Sequence, residues 1–247
     1  MLFRSAIALA ALTVLATLSG GLLALKSRDR FHLVLGLSAG LLLGLVAFDL
    51  LPEIFNTNKD SVANVPQVSI ALLLGFLVLH FTEQFFGSHE PANSKYQHDH
   101  THAFEIAGTV GAFAMAGHIF LDGVALGLSF KVDTKLGIAV FLAMVVHAFS
   151  DGLNTVALLV KLGQWKERGK FLLGIDALSR IGGATLGTTL AISDSAISLY
   201  LAAFAGIVIY LATSHILPEA HSNHPTRLTL LATLSGVLVM WLLVANL

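Results

Sequence analysis

The chain has 247 residues and no cysteine. Disulfide bridges and thiolate metal ligands are therefore excluded, although this absence says nothing about redox compartment. Charge is scarce as well: Asp, Glu, Lys and Arg make up 12% of the sequence, about half their usual share in a soluble domain. A conventional soluble fold is excluded on that ground. The formal net charge is only -1, so nucleic acid is not an expected partner.

Apolar residues fill the remainder. They account for 55% of the chain, and the mean hydropathy is +0.81. Several apolar runs reach the roughly 18 residues that cross a hydrocarbon core. The expected class is an all-α polytopic membrane protein embedded in a lipid bilayer. Histidine stands out among the polar residues, because 11 of them nearly match the 14 Lys plus Arg.

Breaks rich in charge, Gly, Asn and Pro set eight expected transmembrane helices: residues 2–25, 31–55, 67–87, 104–130, 136–161, 169–190, 195–217 and 227–246. The first is read as a retained span. Its apolar run is long for a signal peptide, and Lys26, Ser27 and Arg28 are a poor cleavage context. Lys26, Arg28, Arg30, Lys95, Lys161, Lys166, Arg168, Lys170 and Arg227 fall in one alternate set of loops, against Arg4, Lys59, Lys131 and Lys135 in the other. The richer side is expected to be cytoplasmic. Both termini then face out, and the His-bearing loop 88–102 faces in.

Span 2 contains Asp49-Leu50-Leu51-Pro52-Glu53, and span 7 contains His215-Ile216-Leu217-Pro218-Glu219. The two phrases sit at opposite ends of oppositely directed helices, as an inverted repeat requires. The expectation is a 3+2+3 inverted-repeat arrangement in one transmembrane domain, with chance similarity as the alternative for so short a phrase. Gly36, Gly40 and Gly44, Gly123 and Gly127, and Gly183 and Gly187 have the spacing of close helix contacts, and packing alone accounts for them.

Two phrases carry the chemistry: His118-Ile119-Phe120-Leu121-Asp122-Gly123 and His147-Ala148-Phe149-Ser150-Asp151-Gly152. In each, His and Asp are four residues apart and share a helix face. A short loop makes spans 4 and 5 antiparallel neighbours. The pair His118 with Asp151 and the pair Asp122 with His147 are both centred between residues 134 and 135, so each His faces the other helix's Asp. The four groups then converge within about one helical turn, roughly 6 Å of rise. They lie well inside their spans, near the midplane where transporter sites sit. Imidazole nitrogen with carboxylate oxygen suits Zn(II), Fe(II), Mn(II) or Co(II). The competing reading is two His–Asp pairs that only hold helices together, and repetition in register favours the metal site.

These residues carry a resemblance. His-x-Phe-x-Asp-Gly followed by Val-Ala-Leu-Gly resembles the fourth span of the ZIP (Zrt-, Irt-like) divalent metal transporters, usually His-Asn-Phe-Pro-Glu-Gly. The second phrase is similar to their fifth-span motif, usually His-Glu-Ile-Pro-Glu-Gly. The Leu-Pro-Glu phrases, eight spans, outward termini and a His-bearing loop after span 3 are similar too, so the resemblance covers essentially the whole chain. It implies a divergent member that moves divalent metal, Zn(II) first, with iron, manganese or cobalt next, inward across the plasma membrane (the inner membrane in a bacterium). No enzyme activity or resident cofactor is implied, and a homodimer is a candidate assembly. A membrane-embedded metal-dependent hydrolase and a non-transporting metal sensor are the alternatives.

The departures bear on stoichiometry. Members of the family often hold two adjacent metals. The first uses the positions of His118, Asp122, His147 and Asp151, where Asp replaces the longer Glu. The second uses the residue after each motif His and a Glu of span 6. Those positions are Ile119, Ala148 and Arg180, none of which binds metal. The resemblance therefore implies a mononuclear site with Arg180 standing in for the second metal's charge. The alternative pairs Arg180 with Asp176, one turn away on the same helix.

Other polar residues admit two readings each. Asp49 and Glu53 are a candidate entrance or a solvated helix end. His215, Glu219, His221 and His224 are a candidate exit or ordinary interfacial residues. His98, His100 and His102 form a spaced tract of the metal-binding kind. His80 and Glu83 are expected to pack between helices, and Asn154 to be a fifth ligand or to hydrogen-bond one. His32 and His89 are expected at the interface.

Overall fold

Where no water reaches, a single segment satisfies its own backbone only as a helix, and the apolar runs fold accordingly. The computed structural model describes residues 2–26, 31–86, 101–161, 165–222 and 227–246. Helix α1 spans Leu2–Lys26, α2 Phe31–Leu45, α3 Leu51–Thr57, α4 Gln67–Phe86 and α5 Thr101–Val132. They are followed by α6 Thr134–Lys161, α7 Trp165–Thr189, α8 Asp194–Leu211, α9 Leu217–Ser222 and α10 Arg227–Asn246. By length and composition, Ala6–Leu23, His32–Thr57, Asp194–His221 and Arg227–Asn246 suffice to cross a membrane. Gln67–Thr82 and Thr134–Phe149 are shorter apolar stretches.

Helix ends depart modestly from the apolar boundaries. α7 begins at Trp165 rather than 169, α5 begins at Thr101 rather than 104, and α9 carries its rod to Ser222 rather than 217. Helical hydrogen bonding continues past the point where hydropathy falls. Only Asp133 separates α5 from α6, which makes these helices a tight antiparallel hairpin. Its carboxylate accepts a hydrogen bond from the Lys135 backbone N–H at 3.2 Å.

Two features were not expected. First, α2 passes into α3 through a π-helical turn, Val46–Leu50, and α8 passes into α9 through another, Ala212–Ile216. Each directly precedes a Leu-Pro-Glu phrase. A proline inside a helix lacks the N–H for the carbonyl four residues back and collides with it, and a π turn absorbs that misfit. Second, the expected loop 56–66 contains a small antiparallel hairpin, β1 (Ser61–Val62) with β2 (Val65–Pro66). Ala63 and Asn64 turn it at φ of 51 and 64, with no glycine to announce it.

The helices pair across the sequence order. α1 lies along α6 and α7, α5 along α6 and α7, α2 along α10, and α4 along α8. α2 with α6, and α5 with α8, join the two groups. The glycine runs are seams of this packing. A β-carbon on Gly183 would strike the Phe120 carbonyl, and one on Gly123 the Arg180 carbonyl. α5 and α7 therefore touch backbone to backbone at the depth of the central polar residues. Gly152 does the same for α6 against Thr17 of α1.

Candidate metal centre

α5 presents His118 and Asp122 one turn apart, and α6 presents His147 and Asp151 in the same way. One ligand atom from each of the four lies within 4.8 Å of all the others. Across the hairpin the shortest contact joins the two imidazoles, His118 Nε2 to His147 Nε2 at 3.1 Å. Asp122 Oδ2 lies 3.6 Å from His118 Nε2 and 4.0 Å from His147 Nε2. Asp151 Oδ1 lies 3.5 Å from His147 Nε2. Across the hairpin, His147 thus meets both the opposite His and the opposite Asp.

These spacings fit one small cation. A tetrahedral ion with bonds of about 2.0–2.1 Å sets its ligand atoms roughly 3.3 Å apart. Asp122, His147 and Asp151 are buried and His118 is partly buried. Asp122 Oδ2 and the His147 Nδ1 both lack a hydrogen-bond partner. A buried polar atom without a partner costs free energy; a cation in the cluster would satisfy Asp122 Oδ2, whereas His147 Nδ1 lies on the other side of its ring from the Nε2 that faces the cluster. Beside it lies an apolar pocket between α2 and α8, walled by Leu42, Leu45, Phe204, Val208 and Leu211 and reaching His118, Asp122 and His147.

Arg180 of α7 completes the cluster. It is 1% exposed, with Nη1 3.8 Å from Asp122 Oδ2 and Nη2 3.5 Å from Asp151 Oδ2. The ion pairs found among the described residues do not include one from Arg180 to Asp176, although Asp176 is itself buried. Ile119 and Ala148, beside the two histidines, are fully buried and apolar.

A family model described as ZIP zinc transporter matches residues 86–244, well over half of the chain. The chain belongs to the ZIP family. It is 26% identical over 227 residues to the zinc transporter YKE4 of Saccharomyces cerevisiae, covering 81% of this chain and 66% of the relative. It is 30% identical over 134 residues to zipt-7.2 of Caenorhabditis elegans, covering 51% and 29%. With zinc transporter ZIP9 of Xenopus tropicalis it shares 26% over 193 residues, covering 70% and 63%. The chain thus spans less than two thirds of the length of these relatives. As a ZIP protein it is a polytopic helical membrane protein, and the two His–Asp phrases lie within the matched segment.

Of the other anticipated residues, Asp49, Glu53, His215, Glu219 and His221 fall outside the four-residue group. Asp49 falls in the first π turn, half-buried, with one carboxylate oxygen buried and lacking a hydrogen-bond partner. Glu53, one turn on, accepts a hydrogen bond from Thr57 Oγ1 at 2.9 Å. Among the described residues no hydrogen bond or ion pair joins either of them to the four-residue cluster. His215 occupies the corresponding place in the second π turn and meets the Tyr210 ring at 5.6 Å. The phenol of Tyr210 lies 3.4 Å from His80 Nδ1, so His80 packs between α4 and α8. Glu219 is exposed, and His221 Nδ1 lies 2.8 Å from the Leu217 carbonyl oxygen. His89, His98, His100 and His224 lie outside the described residues, as do the side chains of Glu83 and Asn154. His102 falls in the first turn of α5 rather than in the loop, and its side chain is not described.

Sequence reasoning passed over Tyr200. Its hydroxyl donates to the Leu121 carbonyl at 2.8 Å, tying α8 to α5 one residue from Asp122. An apolar helix with two tyrosines, one of them level with the His–Asp phrase of α5, was the available signal.

Proposed function

We propose that this ZIP protein carries divalent transition-metal ions across its membrane, Zn(II) foremost, binding them one at a time at His118, Asp122, His147 and Asp151. The observation that carries the reading is the convergence of these four ligand atoms within 4.8 Å at the positions of the two family phrases. Zinc comes first because the relatives are named zinc transporters. Iron, manganese and cobalt remain within the chemistry of the donor set.

The centre is mononuclear in this reading, and three features support that. Ile119 and Ala148 offer no donor. Arg180 brings a cation to the carboxylates that a second metal would share. One divalent ion with one guanidinium already matches the three buried carboxylates there, Asp122, Asp151 and Asp176.

The fold is proposed to be the 3+2+3 inverted repeat of eight spans. Exchanging α1 with α7, α2 with α8, α4 with α10 and α5 with α6 maps the observed pairings onto one another: α1 beside α6 becomes α7 beside α5, and α2 beside α10 becomes α8 beside α4. The π turns exchange too, each ahead of its Leu-Pro-Glu phrase. With outward termini in the plasma membrane, Asp49 and Glu53 collect cations outside, and His215, Glu219 and His221 receive them inside. Alternating access then comes from one repeat bundle rocking against the other, or against the central helices α5 and α6.

Uptake of radioactive Zn(II), Mn(II), Fe(II) and Co(II) into proteoliposomes holding the full chain tests the reading. The expected result is saturable Zn(II) flux reduced by the other cations in competition. Tight Zn(II) binding with no flux for any of them would replace the carrier with a metal sensor.

A further inference from the structure

Among the described residues Arg180 is the largest side chain that is almost fully buried. Its backbone sits at the seam where Gly123 lets α5 meet α7. Its Nη2 donates a long hydrogen bond to Asp151 Oδ2 at 3.5 Å, while Nη1 stands 3.8 Å from Asp122 Oδ2. A charge-assisted hydrogen bond is about 2.7–2.9 Å long. Nη1 of Arg180 and Oδ2 of Asp122 both lack a hydrogen-bond partner. A buried ion pair that serves only to hold helices together needs close, fully satisfied geometry to offset desolvation. This one neutralises charge while leaving carboxylate lone pairs open to another cation.

Charge gives that looseness a purpose. The carboxylates around the guanidinium are Asp122, Asp151 and, one turn along α7, the buried Asp176. Arg180 removes one unit of negative charge from the empty centre. The cost of holding charge in a medium of low dielectric rises with the square of the charge, so the guanidinium relieves the empty centre more than the loaded one.

We infer that Arg180 is the resident counter-cation of the empty centre, standing within 4 Å of both Asp122 and Asp151 so that the unloaded carrier returns across the membrane without a second metal ion. This rests on the transport reading above. It makes Arg180 a positioning and charge-balancing residue rather than a ligand.

The test uses the full chain at one fixed pH, with Arg180→Gln and Arg180→Lys beside wild type. Three quantities are read: equilibrium Zn(II) binding in detergent, net uptake into metal-free proteoliposomes, and exchange of radioactive Zn(II) into vesicles preloaded with unlabelled Zn(II). Exchange needs only the loaded carrier to cross, whereas net uptake needs the empty one to return. For Arg180→Gln, Zn(II) binding tightens about tenfold or more, because a like charge near 4 Å has gone. Its net uptake falls about tenfold or more while exchange persists. Arg180→Lys, which keeps the charge, retains most of the net uptake. Equal loss of net uptake and exchange in both variants, or weaker Zn(II) binding in Arg180→Gln, would mean that Arg180 only holds the helices, and the inference falls. Unchanged net uptake in Arg180→Gln overturns it as well. Absence of all flux in wild type would instead fail the transport reading, and the binding measurement would still decide whether Arg180 competes with the metal.

Discussion

The imidazole nitrogens of His118 and His147 face each other at 3.1 Å across a hairpin whose helices are separated by Asp133 alone. Two lone pairs at that distance repel, so either one ring donates its N–H to the other or a metal ion lies between them. Replacing either histidine by Ala removes one of four donors. Zn(II) affinity is expected to fall by about 100-fold or more, beyond the 10–100-fold typical of losing a group that only supports a ligand. Equilibrium dialysis of the purified full chain checks this. Affinity within a few-fold of wild type would remove that histidine from the site.

Stoichiometry is open to a separate test. Arg180→Glu replaces the counter-cation with a third carboxylate beside Asp122 and Asp151. Elemental analysis is expected to rise from one bound metal per chain to two. No additional metal would end the idea that Arg180 occupies a second ion's place.

The seam between α5 and α7 predicts a stability difference within one helix. Gly183→Ala puts a methyl against the Phe120 carbonyl, whereas nothing lies within 4 Å of a β-carbon on Gly174. Gly183→Ala is expected to cost about 1–3 kcal/mol by overpacking. Gly174→Ala is expected to be neutral or to stabilise by about 0.5–1 kcal/mol. Thermal unfolding in detergent separates them, and equal melting temperatures would contradict the packing described.

If Asp49 and Glu53 gather cations ahead of the centre, removing their charge lowers the local ion concentration without touching the ligands. Asp49→Asn with Glu53→Gln is expected to raise the KM for Zn(II) uptake about 3- to 10-fold with little change in kcat, an effect that shrinks in high salt. A fall in kcat at constant KM would place these residues in the moving parts instead.

The convergence of His118, Asp122, His147 and Asp151 was legible in the sequence, because a four-residue spacing fixes a helix face and a short hairpin fixes relative depth. The resemblance already implied that Arg180 stands at the second metal's place, but not how near it comes to the two carboxylates. That reach depends on how closely α7 approaches α5, and that is set by Gly123 and Gly183, whose spacing signals contact without naming the partner helix. Nothing local tells that α1 lies along α6 or α4 along α8. The π turns had a signal in Pro52 and Pro218, two prolines inside long apolar helices. The hairpin at Ala63 and Asn64 had almost none, since neither residue forms the Asn-Gly pair that usually marks a tight turn.

Zn(II) uptake by proteoliposomes bearing wild type, beside the double variant His118→Ala with Asp151→Ala, bears most directly on the four-residue centre. The account predicts saturable uptake by wild type and none above protein-free vesicles for the double variant, with the variant still folded by thermal unfolding. Zn(II) flux that survives the double substitution, or wild-type vesicles that take up none, would contradict it.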